Sequence, residues 1–105
     1  MLFFIKALAT EGIDWELTLQ AVKGHLEDLE ELKKKGKLIF HGAILGKKGG
    51  IEIVRMDSSE ELADLLNPMM PFFDIEVMPL INYEGTLKLV GKIEEKIPEI
   101  IPVKS

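Results

Sequence analysis

The chain has 105 residues, a net charge of −5, 47% hydrophobic and 30% charged residues, and no cysteine. That length holds one core and not two, and the composition is that of a folded domain rather than a disordered one. The acidic balance argues against nucleic acid as the main partner, and the missing cysteines exclude disulfides and thiolate metal sites and fit a cytoplasmic protein.

No apolar run reaches membrane-spanning length, so no membrane partner is expected. The apolar start MLFFIKALAT has its lysine inside the run and no basic lead, which does not suit a signal peptide.

Residues 2–9, LFFIKALA, read as a first strand. Leu2, Phe4, Lys6 and Leu8 lie on one face and Phe3, Ile5, Ala7 and Ala9 on the other. A turn around Gly12 leads to an amphipathic helix from Trp15 to about Lys35. Its expected core stripe is Trp15, Leu19, Val22, Leu26, Leu29 and Leu32. Gly24 costs this helix roughly 1 kcal/mol relative to Ala, and marks either close packing on the sheet or nothing. His25 reads as a residue at the boundary of the stripe. Trp15 reads as a lid over a pocket or a staple for the helix start. Lys33 to Lys35 suit a helix C-terminus, and Gly36 is a stop signal.

Residues 38–45, LIFHGAIL, read as a second strand, GKKGG at 46–50 as a hairpin connection, and 51–56, IEIVRM, as a third strand. GKKGG lacks the phosphate-loop pattern and joins strand to strand. Ser58 with Glu61 forms a capping box for a second helix over about 59–67, which Pro68 closes by pushing Asn67 out of helical geometry.

The stretch 68–81, PMMPFFDIEVMPLI, then gives a fourth strand. Its period of two sets Asp74, Glu76 and Met78 on one face and Ile75 and Val77 on the other. The order βαββαβ is the ferredoxin-like α+β pattern: a four-stranded antiparallel sheet with both helices on one face. The other face is too apolar to stay wet, so a second copy is expected to cover it. Residues 82–105 are set apart as a C-terminal extension of the 1–81 domain. It is expected to hold a short helix near 86–97, with extended chain forced by Pro98 and Pro102. Ile97, Ile100, Ile101 and Val103 are expected to dock on this subunit or a neighbour.

LFFIK, the Gly36 to Gly46 spacing, MDSSEELADLL and above all PFFDIEV resemble the muconolactone delta-isomerase family of the dimeric α+β barrel superfamily, over about residues 1–81. The family's first strand looks like LFHVK and its last like PYMDIEV. The resemblance implies a sheet packed on a partner's sheet, a homodimer or a larger ring of dimers, and no cofactor. It implies a double-bond shift in a small unsaturated lactone acid by proton abstraction and return.

By this resemblance Lys6 falls on the family's strand lysine, and Asp74 and Glu76 on its DIE. Phe4 stands where the family has histidine. LIFHGAIL keeps only His41 from a strand rich in Arg, His and Trp. The lost arginine removes the bidentate anchor a substrate carboxylate would use.

The first and fourth strands are antiparallel neighbours in this fold, so Lys6 can face Asp74 or Glu76. Glu76 then serves as base and Lys6 as electrostatic partner for an enolate. The plainer reading is a cross-strand ion pair at a dimer interface. His41 is either an acid–base group or a hydrogen-bonded structural histidine. No residue spacing has metal-ligand character. Two further functional readings stand beside the isomerase: a small-molecule-binding or assembly module without chemistry, and a cofactor-free oxygenase.

Overall fold

A computed structural model describes residues 1–100, with side chains described through Ile97. The elements are β1 (Leu2–Ala9), α1 (Trp15–Lys34), β2 (Leu38–Ala43), β3 (Gly49–Arg55), α2 (Ser59–Leu66), a 3-10 turn (Asn67–Met69), β4 (Phe73–Leu80) and α3 (Tyr83–Ile100). One antiparallel sheet has the order β2-β3-β1-β4, which is the ferredoxin-like arrangement.

Register assigns every sheet side chain to a face, because directly opposed residues of an antiparallel pair share one. Ile5 opposes Val77 and Glu52, Ala7 opposes Ile75 and Gly50, and His41 opposes Glu52. These residues lie on the face that the helices cover. Lys6 opposes Glu76 and Ile51, Phe4 opposes Met78 and Ile53, and Phe40 opposes Ile53. These residues make the open face, where Phe40 and Met78 are exposed. The core forms on the covered side from Ile5, Val54 and Met56 with Leu29, Leu32, Leu65 and Leu66.

The ends of the helices follow local chemistry. Asp14 caps α1 by accepting from the backbone N–H groups of Glu16 and Leu17 at 2.9 and 3.1 Å. Gly36, at φ +72°, closes it; Lys37 N–H donates to Leu32 C=O and Gly36 N–H to Lys33 C=O, the Schellman pattern. Gly24 has open space around an added Cβ, so it marks no close packing.

Ser58 accepts from Glu61 N–H at 3.1 Å, as the capping box predicts, while the Glu61 carboxylate reaches back to Asp57 N–H at 2.9 Å. Lys37, at the start of β2, binds Glu61 at 2.6 Å and Asp57 at 2.9 Å. The Glu61 carboxylate, then that of Asp57, raises the Lys37 ammonium above its ordinary value. Lys37 in turn lowers both carboxyls below theirs.

The structure corrects several boundaries. Asn67 stays helical at φ −52°, ψ −43°, and Met70 N–H donates to both Leu66 and Asn67 carbonyls. Pro68 thus enters a 3-10 turn rather than ending the helix outright, since its fixed φ suits a first turn. β2 ends at Ala43, and Leu45 is left in the exposed hairpin. β3 begins two residues early, at Gly49, where an added Cβ would run into the Ala7 carbonyl oxygen. Only glycine lets β1 and β3 approach so closely there.

The helix expected near 86–97 is longer at both ends. Asn82 caps it by accepting from Gly85 N–H at 2.8 Å, and it runs through Pro98 to Ile100. Its Leu87, Leu89, Val90 and Ile93 are exposed, and the molecule extends 66 Å along its long axis. The extended chain expected at Pro102, and docking by Ile101 and Val103, lie outside the described residues.

Candidate functional site

The expected stripe of α1 holds at Leu29 and Leu32 but is displaced by one residue at Leu19 and Leu26, where Thr18 and His25 are buried instead. Its buried positions are Thr18, His25, Leu29 and Leu32, whereas Leu19 and Leu26 are 53% and 44% exposed. The spacing is still 4-3, but the line runs through two polar side chains. Thr18 is satisfied within the helix, its Oγ1 donating to Asp14 C=O at 2.7 Å. His25 has one of its two ring nitrogens satisfied by the sheet. Its Nε2 lies 3.0 and 2.9 Å from the two carboxylate oxygens of Glu52 on β3.

Both partners are out of water, with 9% of His25 and 5% of Glu52 exposed. Burying two such groups costs several kcal/mol, and removing either one strands the other. A sequence that carries this cost at an apolar helix–sheet contact points to use rather than to stability. His25 Nδ1 is buried and has no hydrogen-bond partner among the described residues.

The pair lines a cavity of about 410 Å³ between α1 and the sheet. Its other walls are mostly apolar and include Ile5, Leu66, Phe73 and Ile75. Its remaining polar lining comes from His41, Trp15 and Lys48. This volume and lining are those of a small-molecule site.

The residues expected to carry chemistry divide between the faces. His41 lies on the covered face beside Glu52 and lines the cavity. Lys6 and Glu76 are register partners, as the antiparallel pairing of the first and fourth strands predicts, but on the open face. Asp74 opposes Leu8 on that same face. None of Lys6, Asp74 and Glu76 lines the cavity. Lys6 and Glu76 are not joined in an ion pair within 4.0 Å.

Sequence reasoning missed His25 and Glu52. The available signal was the second 4-3 line of α1, through Thr18, Val22, His25 and Leu29. It ran beside a single acid alternating with Ile51 and Ile53 in IEIVR.

The fold and cavity define an α+β domain of ferredoxin-like topology with a mostly apolar cavity between its first helix and its sheet. A profile of the muconolactone delta-isomerase family matches residues 1–85, and the chain belongs to that family. Muconolactone delta-isomerase of Rhodococcus opacus is 33% identical over 61 residues, covering 56% of this chain and 66% of that protein.

A crystal structure of muconolactone isomerase superposes with a TM-score of 0.61 at 25% identity, covering 79% of this chain and 91% of that one. A 5-chloro-2-hydroxyhydroquinone dehydrochlorinase from Burkholderia phenoliruptrix, in complex with 2,5-dihydroxybenzoquinone, superposes at 0.63. It is 22% identical, covers 81% of this chain and 98% of its own, and so shares the fold. No helix among the described residues is long and apolar enough to cross a membrane.

Proposed function

We propose that the protein is an isomerase that shifts a proton, and with it a C=C bond, within a small unsaturated lactone or acid. The observation that carries this reading is the buried His25–Glu52 pair on the wall of an apolar cavity. Family membership supports it.

A C–H beside a carbonyl becomes acidic enough for a carboxylate when the resulting enolate is stabilised. Because His25 Nδ1 is sealed, Glu52 is the member of the pair that takes the proton. His25 Nε2–H orients the carboxylate. His41, on the neighbouring strand, donates to the enolate oxygen. Glu52 then returns the same proton two carbons along the conjugated system. The bond moves, and the enzyme ends as it began. Loss of water from an apolar pocket strengthens each of these interactions.

Lys6, Asp74 and Glu76 belong, in this proposal, to the interface of a homodimer. A second copy covers the open face, burying its apolar side chains and bringing Lys6 and Glu76 into a drier setting. Residues 82–105 are an extension whose exposed α3 stripe adds to the same assembly. The cysteine-free composition suits a cytoplasmic location.

The test is to mix purified protein with muconolactone and follow the ultraviolet spectrum. Turnover that falls sharply in Glu52→Gln and His25→Gln supports the proposal; no turnover, or full activity in Glu52→Gln, overturns it. A second reading, a binding module without turnover, is favoured by Phe4 and by Lys6, Asp74 and Glu76 lying off the cavity. It predicts a rise in melting temperature with ligand but no spectral change.

A further inference from the structure

We propose that Lys48 is the carboxylate anchor of the cavity, selecting small apolar ligands that carry one negative charge. This deepens, and rests on, the reading of the cavity as a substrate site.

Four observations carry it. First, the backbone holds Lys48 in place. Its carbonyl accepts from Ala9 N–H at 2.8 Å, and the next residue, Gly49, is pressed against Ala7 while its carbonyl accepts from Ile44 N–H at 3.0 Å. The β2–β3 hairpin is therefore pinned to the end of β1 at this residue. Second, the side chain is positioned without being consumed. Lys48 Nζ lies 4.9 Å from the centroid of the Trp15 ring. That contact attracts the charge through the ring face and uses no hydrogen-bond acceptor. Among the described residues no carboxylate or carbonyl pairs with this ammonium, whereas Lys34 and Lys37 are both engaged by carboxylates. All three donors remain for a ligand.

Third, the backbone of Trp15 is held in place, as the first residue of α1 directly after the Asp14 cap. Fourth, among the described residues Lys48 and Glu52 are the only Lys, Arg, Asp or Glu residues lining the cavity, and they have opposite sign. An anionic ligand is attracted to the lysine and repelled by the carboxylate. It must enter with its carboxylate at Lys48 and its hydrocarbon against the apolar walls, which points the far carbons at Glu52. The ammonium thus does in the hairpin what an arginine of the second strand would have done. It acts as a point charge rather than a bidentate fork, so it tolerates variation in ligand shape.

Trp15 is the sole tryptophan, so its fluorescence reports on this corner alone. The experiment titrates the protein with cyclohexanecarboxylate and with its neutral isostere cyclohexanecarboxamide, following that emission. The expected result is a preference for the carboxylate of about tenfold or more in the native protein. Rising ionic strength should weaken it. Lys48→Met should reduce it to about twofold or less, Lys48→Arg should restore it, and Lys47→Met should leave it intact.

Equal binding of the two probes, a preference that survives Lys48→Met, or no binding of either at millimolar concentration overturns the proposal. Thermal melting of each variant establishes that it is folded. Muconolactone turnover that depends on Glu52, without a carboxylate preference, sinks the anchor and leaves the isomerase. A Lys48-dependent preference without turnover does the reverse.

Discussion

The two faces of the sheet carry similar pairs of residues with different consequences. On the open face Lys6 and Glu76 oppose each other in perfect register, yet they form no ion pair and Glu76 is exposed. On the covered face Glu52 has no basic residue opposite it on β1, where its partner is Ile5. It meets its histidine from above, on a helix, at 2.9 Å and nearly out of water. Register brings backbones together, but burial makes a charge matter, because the same Coulomb attraction grows as water is excluded. The difference between the faces is whether something lies on top.

That contrast is broken most directly by activity. Glu52→Gln is expected to lower turnover by about 10²- to 10⁴-fold, the usual contribution of general acid–base catalysis. Glu76→Gln should leave the rate within about threefold if the open face serves assembly. Steady-state kinetics on both variants decides this, and the reverse order would move the chemistry to the open face.

The next effect is on stability. Leu29→Ala, beneath α1 in the core, should cost about 2–5 kcal/mol in chemical denaturation. Met78→Ala on the open face should cost well under 1 kcal/mol per isolated chain. Its effect should appear instead as subunit dissociation in light scattering. Gly49→Ala belongs with the large losses, since its Cβ would meet the Ala7 carbonyl oxygen.

Gly24→Ala is smaller and opposite in sign. With open space around the new Cβ and a helical backbone, it should stabilise the protein by about 0.5–1 kcal/mol, read from the melting temperature.

The smallest effect is the pH dependence of the Lys37 cluster. Asp57 and Glu61 have lowered folded-state values, so their contribution is present above the ordinary carboxylate range and lost as pH falls through their folded-state values. Lys37 is raised, so its contribution holds below its ordinary value and disappears as pH rises through the folded one. Denaturation midpoints across acid pH should fall less steeply in Lys37→Met than in the native protein.

Much of the architecture was legible from local patterns. The alternation of LFFIKALA and DIEVM assigns faces that the register reproduces, and Ser58 and Gly36 sit at helix ends for reasons their own chemistry supplies. Asn82, which accepts from Gly85 N–H at the start of α3, is a cap residue of the same kind.

The site was less legible. Lys6 and Glu76 stood out because they interrupt apolar strands and because they fall on a family pattern. His25 did not, because Leu19 and Leu26 offered a more hydrophobic line along the same helix. Periodicity identifies the helix but leaves its rotation open to about one residue, roughly 100°.

The sequence by itself determined the βαββαβ order, the two faces of the first and fourth strands, the Ser58 capping box and the Gly36 helix stop, all of which depend on neighbours a few residues apart. Only the tertiary structure decided which face was covered, how α1 was turned about its axis, and that Lys48 lay over Trp15. Those depend on His25 meeting Glu52 across 27 residues and on Gly49 admitting the backbone of β1. Such contacts form when layers pack, and their strength depends on water that only packing removes.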